Sequence, residues 1–520
     1  MKRLLVIFLI SVFLSVDVFA VNWSMFGFDP KNTGYVDVES NLNLEELDFI
    51  WKYEADAWVS SPVSGDIDDD GKLEVMFGSD DGNFYVLNSE GKLVWSFKTN
   101  GSIGNSPIIW DIDGNNKSEI VFGSNDRLYV LNSSGGVLWI YKADDAITSP
   151  PAIGDVDNDS KVEIIFGSKN GLLYVINSKG RELWKFKSSG AITSSPAIGD
   201  VNGDNIPDIV FGSDDNRLYV IIFKQPRRIL SYMVNGDVSS SPALIGSSGN
   251  LKIVFGSSDG GVHCLHYSEY EGEPSTRVCD ARRCWKVYTK YTSLDGDWEY
   301  KTNGEVASPA VANIIGSDYC EVIVGSRDKN LYVFNSYTGE LLKRYSLSGG
   351  IVSHPIVVDL DDDSNLEIIV GSDDGVLYVI NSSFMREWGY KLNDSIRTSP
   401  IVSDLNNDQK FEIVVPAGNN LYVFGSRYGI YEIATTSAIT STTTSTTTTT
   451  SPTIDPEMNE TTTSIIPKAS ITEISTTTTL EEPKMIGRVV GVEISTTNMA
   501  FVILLFFSVV VYILHGRRGR

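Results

Sequence analysis

Four short runs of apolar, β-type residues, divided by Asp, Gly, Ser and Asn, make up the stretch from Ser61 to Lys98. Pro62 to Gly65 leads into an acidic loop, Asp66-Ile-Asp68-Asp-Asp70-Gly71, and Leu73 to Gly78 ends at Asp81-Gly82. Phe84 to Asn88 ends at Ser89-Glu90-Gly91, and the fourth run carries Trp95 and Phe97. Such alternation between turn formers predicts four antiparallel strands. Strands this short cannot bury a core alone, so the unit has to be repeated to be stable.

The repeat is visible when the chain is aligned on the proline of its Ser-Pro motifs. That proline, or its equivalent after Pro150 and after His354, falls at Pro62, Pro107, Pro151, Pro196, Pro242, Pro309, Pro355 and Pro400, at steps of 45, 44, 45, 46, 67, 46 and 45 residues. A four-strand unit of this period is a propeller blade, and radial packing leaves each sheet only short, protected edges. The expected fold is all-β: an eight-bladed β-propeller of four-stranded antiparallel blades, spanning 21–433 with its blades from Asp48 to Ile433. The eighth unit lacks a fourth strand of the W-x-Y-K type, and Trp51-Lys52-Tyr53, ahead of the first blade, has that pattern. The N-terminal strand is therefore expected to complete the last blade, with seven blades and a degenerate cap as the alternative. Blade five holds an insertion of about 22 residues around Tyr267 to Leu294.

The ends of the chain point to export and anchoring. Lys2-Arg3, the apolar run Leu4 to Leu14 and Val18-Phe19-Ala20 read as a signal peptide over 1–20. Residues 434–497 are rich in Thr and Ser, cannot bury enough apolar area to fold, and read as a glycosylated stalk. The apolar run within 498–514, followed by the arginines of 515–520, is expected to be a single transmembrane helix with a cytoplasmic basic tail. The propeller would then face the outside of the cell membrane. A net charge of −25 argues against nucleic acid as a partner. Four cysteines in an exported chain suggest one or two disulfides among three pairings; Cys279–Cys284 with Cys264–Cys320 is the favoured set.

Much of the acid excess sits in the loop between the first and second strands. Blade one offers Asp66, Asp68, Asp70 and Glu74; blade two Asp111, Asp113, Asn115 and Glu119; blade three Asp155, Asp157, Asp159 and Glu163. Blade four offers Asp200, Asn202, Asp204 and Asp208; blade seven Asp359, Asp361, Asp363 and Glu367; blade eight Asp404, Asn406, Asp408 and Glu412. Oxygen ligands at positions 1, 3, 5 and 9 of a tight loop suit a hard, flexible cation, and calcium is the expected cofactor. Gly246 to Asn250 in blade five and Asn313 to Ser317 in blade six have lost the pattern, so no metal is expected there.

The loops D-h-D-x-D-G-x-x-E followed by Phe77-Gly78-Ser79 resemble the FG-GAP repeats of integrin-type propellers, which implies calcium binding. The strands Leu128 to Asn132 with Trp139-Ile-Tyr141, and Leu172 to Asn177 with Trp184-Lys-Phe186, resemble the blades of pyrroloquinoline-quinone (PQQ)-like propellers. The resemblance covers residues 22 to 433. Stalk, short apolar helix and basic end are similar to the C-terminal sorting signals of archaeal surface proteins, although the usual short motif before the helix is missing. The recurring Trp51, Trp95, Trp139, Trp184, Trp298 and Trp388 are expected to pack between blades. No vicinal cysteine pair or matching acid supports a quinone pocket, so PQQ is not expected.

A ligand would have to be met by loops that depart from the repeat. Trp58, Asn105, Glu305, His354 and Arg397 are such departures in the loops leading into the Ser-Pro motifs, and they belong to consecutive blades around a closed ring. The expected function is a cell-surface, calcium-binding module for adhesion or capture of an extracellular protein or glycan. The alternatives are a quinoprotein dehydrogenase or polysaccharide lyase, and a passive envelope scaffold.

Overall fold

A computed structural model of the protein describes residues 23–224, 227–247, 249–279 and 284–426. The expected leader, stalk, apolar helix and basic tail lie outside the described residues. Within them the chain forms eight antiparallel sheets of four strands, each in the order first to fourth along the chain, apart from the last. Blade one is typical: Val63–Gly65, Glu74–Gly78, Asn83–Leu87 and Leu93–Lys98. Its first three strands are almost wholly buried, while the fourth alternates and faces solvent. That gradient fits the sequence, because the second and third strands are near-continuous Val/Ile/Phe/Tyr runs and the fourth alternates.

The ring closes as the sequence predicts. Leu47–Glu54 pairs antiparallel with Asn420–Ser426, so that the N-terminal strand becomes the outer strand of blade eight. Where a blade has the outer-strand tryptophan, the indole lies against the next blade. Trp51, Trp95 and Trp298 donate their indole N–H to the carbonyls of Ser89, Ser133 and Ser336, at 3.0–3.1 Å, in the turn between the third and fourth strands of the following blade. Gly91, Gly135 and Gly339 in those turns have positive φ and lie against the indoles, where a Cβ would collide. A second, inner belt joins residues preceding the aligned prolines: the N–H of Ser195 donates to the Ser241 hydroxyl, that of Ser241 to Ser308, and that of Ser399 to Ser61.

Residues 23–34 do more than lead to the closing strand. They run around the inside of the ring and accept hydrogen bonds from the first strands of six blades. Carbonyls of Trp23, Ser24, Pro30, Lys31, Thr33 and Gly34 receive the N–H groups of Ser64, Ile109, Ile198, Leu244, Val311 and Val357, at 2.7–3.0 Å. The cause is the unpaired inward edge of each first strand, whose buried N–H groups need acceptors. Asn32, buried, spans two blades by donating to the Ser195 and Pro242 carbonyls. Tyr35–Glu39 then forms a fifth, parallel strand on Ile356–Asp359 of blade seven.

Blade five departs from the others. Its insertion lengthens the third and fourth strands to Gly261–Cys279 and Cys284–Lys301, a hairpin whose register sets Cys279 opposite Cys284. The expected Cys264–Cys320 bridge is not formed; both are free thiols. Cys264 is fixed mid-strand opposite Trp298, and Cys320 lies in the loop entering the second strand of blade six, so the two blades hold them apart.

Candidate metal centres and ligand rim

The acidic loops share one internal geometry. In blades one, two, three, four and eight, the position-1 aspartate (Asp66, Asp111, Asp155, Asp200, Asp404) accepts the N–H of position 5 on one oxygen and that of position 6 on the other. Closing so tight a loop puts positions 4 and 6 in the left-handed region, as at Asp69 (φ 63°), Asn116 (61°) and Asn205 (62°), which favours the Asp, Asn and Gly found at most of them; Ser160, Ser364 and Gln409 are the exceptions. The position-9 acid turns back onto the amide of position 2: Glu74 on Ile67, Glu119 on Ile112, Glu163 on Val156, Asp208 on Val201, Glu367 on Leu360 and Glu412 on Leu405.

Burial and the neighbouring carboxylates make that last acid costly to ionise. Burial first, then neighbouring carboxylates, pushes Glu74, Glu163 and Asp208 up to about 7 and Glu367 up to about 8. Glu119 and Glu412 are raised for the same reasons. A cation between the oxygens would remove the penalty.

Four loops bring ligand oxygens within 4.8 Å of one another: Asp66/Asp68/Asp70, Asp111/Asp113/Glu119, Asp155/Asp157/Glu163 and Asp359/Asp361/Glu367. Blades four and eight differ because position 3 is an amide. Asn202 donates to Asp204, Asn406 donates to Glu412, and Lys224 lies 3.7 Å from Asp204. In blade five the position-9 acid is replaced by Lys252, whose ammonium pairs with Asp297 at 3.1 Å and lies 4.7 Å from the Tyr337 ring centroid. Blade six keeps only Glu321, satisfied by the amides of Ile314 and Ile315 and by the Ser317 hydroxyl.

The other face carries the hairpins between second and third strands and the loops that enter each blade. Here Trp58, Glu305 and Arg397 come together through two residues the sequence reading missed, Arg327 and Asp373. Arg327 Nε bonds Glu305 Oε2 at 2.5 Å, and its Nη1 lies 3.7 Å from Asp373 Oδ2. Arg397 Nε bonds Asp373 Oδ1 at 3.0 Å and places its guanidinium 5.6 Å from the Trp58 ring centroid. The result is a chain of acid, base, acid, base and aromatic running over blades six, seven, eight and one. Trp58 is 43 % exposed, and a cleft of about 200 Å³ opens beside Glu305 and Arg327, lined also by Ser239, Ser240, Ala307 and Ile351. Backbone bonds set the loops: Asp80 N–H donates to the Trp58 carbonyl and Arg327 N–H to that of Glu305. Arg327 was legible in principle, since it is the one arginine at a position held by Asp80, Asn125, Lys169, Asp214, Ser258, Asp373 and Gly418 in the other blades.

The other two expected rim residues are elsewhere. Asn105 spends its amide on the Ile147 carbonyl of the next blade, a structural staple. His354 is buried at the inner belt, its backbone N–H on the Ser399 hydroxyl and its ring 5.4 Å from that of Phe26. It faces the N-terminal segment and not solvent, because that segment fills the inside of the ring. Burial pushes it down to about 4.

Fold and sites together define an eight-bladed β-propeller with acidic inter-strand loops on one face and a charged, aromatic rim on the other. Residues 48–109, 152–224 and 314–470 match the family model described as the lambda-carrageenase beta-propeller domain, and the chain belongs to that family. No curated protein matches the chain. The computationally designed Ika8 protein shares the fold at 16% identity and a TM-score of 0.50, over 72% of this chain and 98% of that one. BamB from Moraxella catarrhalis aligns at 15% identity and a TM-score of 0.49, over 74% and 98% of the two chains. A europium-containing methanol dehydrogenase aligns at 10% and 0.44, over 78% and 98%.

Proposed function

We propose that the protein is a calcium-loaded binding module of the cell surface, whose ligand is a glycan or protein held at the Trp58–Arg397–Asp373–Arg327–Glu305 arc. The observation that carries the reading is that arc: five side chains from four blades, joined in one line on an accessible face. An exposed indole offers a stacking surface, and the two arginines and two carboxylates offer donors and acceptors in fixed positions. A family named for a carrageenase favours a polysaccharide over a protein.

Calcium is the reading of the opposite face. Loops with three or four converging carboxylates and preformed backbone geometry suit a 6–8-coordinate oxygen site. If each ion binds at about 0.1–1 mM and calcium is tenfold higher, each contributes about 1.4 kcal/mol to the ring. Display outside the cell membrane on a stalk and helix rests on the terminal sequences.

The family match also favours a second reading, cleavage of a polysaccharide, with Glu305, which lines the cleft, and Asp373, paired with Arg327 beside it, as the candidate carboxylates. The N-terminal segment weighs against a quinone on the ring axis, since residues 23–34 run along the inside of the ring bonded to six blades. Binding of lambda-carrageenan and other glycans to the full chain, compared with Trp58→Ala and Asp373→Asn, tests the arc. Loss of binding in both variants supports it, and unchanged binding refutes it. Release of new reducing ends would establish the second reading. Native mass spectrometry in calcium tests the loops, and a bare polypeptide mass would refute them.

A further inference from the structure

Blade seven differs from the other acidic loops in three ways. First, Asp359 is only 4 % exposed, and its Oδ1 has no hydrogen-bond partner, whereas the equivalent oxygen in five other blades takes the position-5 amide. Only the Ser364 N–H reaches Asp359, on Oδ2. The Asp361 Oδ1 is likewise buried without a well-formed bond. Both belong to a cluster, with Glu367, whose oxygens lie within 4.8 Å. A buried carboxylate oxygen left unpaired is costly, and a cation is the natural partner for two of them.

Second, the blade brings a fifth acid. Glu387, on the fourth strand beside Trp388, is held by the Asn381 amide at 2.7 Å. Register sets its neighbour Arg386 opposite Ile380, and Ile380 opposite Ile368, the residue after Glu367, so Glu387 stands at the end of the blade that carries the acidic loop. The residue before the outer-strand tryptophan is Ile50, Val94, Leu138 or Leu183 in the other blades that have both that tryptophan and an acidic loop.

Third, this loop is where the N-terminal segment leaves the inside of the ring. The Asp359 carbonyl accepts the Ser40 N–H at 3.2 Å and the Leu360 carbonyl accepts that of Leu42 at 3.0 Å. Backbone register sets Glu39 opposite Asp359. The two anchoring residues are positions 1 and 2 of the acidic loop, so whatever fixes the Asp359 carboxylate also fixes the carbonyl that holds the segment before it becomes the closing strand.

We propose that blade seven is the tightest divalent-cation site of the ring, and that the ion there clasps the segment 35–42 to the blade. This rests on the calcium reading of the loops. Ligand charge count tunes oxygen sites over orders of magnitude, so a fifth carboxylate and two unpaired buried oxygens place blade seven ahead of the other acidic loops, of which blade four leaves one buried ligand oxygen, Asp208 Oδ1, unpaired.

The test is hydrogen–deuterium exchange of the full chain across a calcium titration, following the amides of Ser40 and Leu42 and those of the loops in blades one to three. Calcium is expected to protect Ser40 and Leu42 at a lower concentration than it protects the other loops. Glu387→Gln, an exposed change that leaves the fold intact, is expected to raise that concentration roughly tenfold and to leave the other loops unmoved. Asp66→Asn is expected to do the converse. If blades one to three respond to calcium while Ser40 and Leu42 do not, or if Glu387→Gln has no effect, the clasp is overturned and the calcium reading stands. If no loop responds at all, both fall together.

Discussion

The indole N–H of Trp388 donates to the carbonyl of Leu47 at 3.1 Å, and this bond joins the two ends of the ring. Trp51, Trp95 and Trp298 instead reach a turn between the third and fourth strands of the following blade. Blade eight has no such turn, because its fourth strand comes from the N-terminus, and the start of that strand supplies the acceptor. Trp388 also packs on Phe424 with ring centroids 5.4 Å apart, so the indole holds blade seven to both partners of the closure.

Trp388→Phe keeps most of the apolar contact and removes the donor. It is expected to lower stability by about 1–2 kcal/mol, as a lost part-buried hydrogen bond and a looser fit. Urea unfolding of the variant beside Trp298→Phe checks this, and a midpoint equal to wild type would show that the bond does not secure the ring.

Gly34 has φ +62°, and a Cβ there would collide with the His354 imidazole and the Pro355 carbonyl. Gly34→Ala is expected to cost about 2–4 kcal/mol, from the left-handed backbone and the clash. His354→Ser restores the residue most blades have at this position and should recover part of that loss. A double-mutant cycle by thermal unfolding measures the coupling, and strictly additive effects would refute the contact.

His354 also gives a pH dependence with a definite sign. Its folded-state value near 4 lies below the unfolded value of about 6.5, so the unfolded chain binds the extra proton between them. The neutral imidazole therefore costs nothing above about pH 6.5, and stability is lost as pH falls through that window, by at most about 3 kcal/mol. His354→Gln should flatten the curve between pH 6.5 and 4 relative to wild type. Parallel curves for the two proteins would contradict the burial.

Lys252 and Asp297 form an ion pair whose side chains are each about one-fifth exposed. Lys252→Met leaves Asp297 without that partner and is expected to destabilise by about 1–3 kcal/mol. Adding Asp297→Asn should return much of it. Chemical denaturation of the three variants is the measurement, and no recovery in the double variant would mean that Lys252 acts through packing alone.

Asp373 accepts a hydrogen bond from Arg397 and pairs at 3.7 Å with Arg327, and both arginines are half exposed. Asp373→Asn should change stability by no more than about 1 kcal/mol, since exposed pairs contribute little. Its effect on ligand affinity should be larger, at least tenfold, because both guanidinium groups lose their fixed position. Calorimetric titration with a glycan that binds wild type separates the two, and equal affinity would remove the arc from the site.

Blade number, strand order, closure by Trp51 and the position of the acidic loops were all legible in the sequence. They rest on local signals that repeat: turn residues at fixed offsets, strand alternation and an outer-strand tryptophan in six of the eight blades. Repetition makes each signal visible several times over, and each blade contacts mainly its neighbours, so local pattern carries the architecture.

What tertiary structure alone decided is where unrepeated residues lie. Asn105 and His354 depart from the repeat as Trp58 and Arg397 do, yet two turn inward to staple or pack and two remain on the rim. Nothing in the spacing of residues 23–34 announced that they would line the ring, because the N–H donors they satisfy belong to six separate blades. The arc through Arg327 and Asp373 and the unpaired oxygen of Asp359 likewise depend on the ring having closed. Repeating positions take their environment from the chain nearby, whereas a singular side chain takes it from whatever the closed ring places beside it.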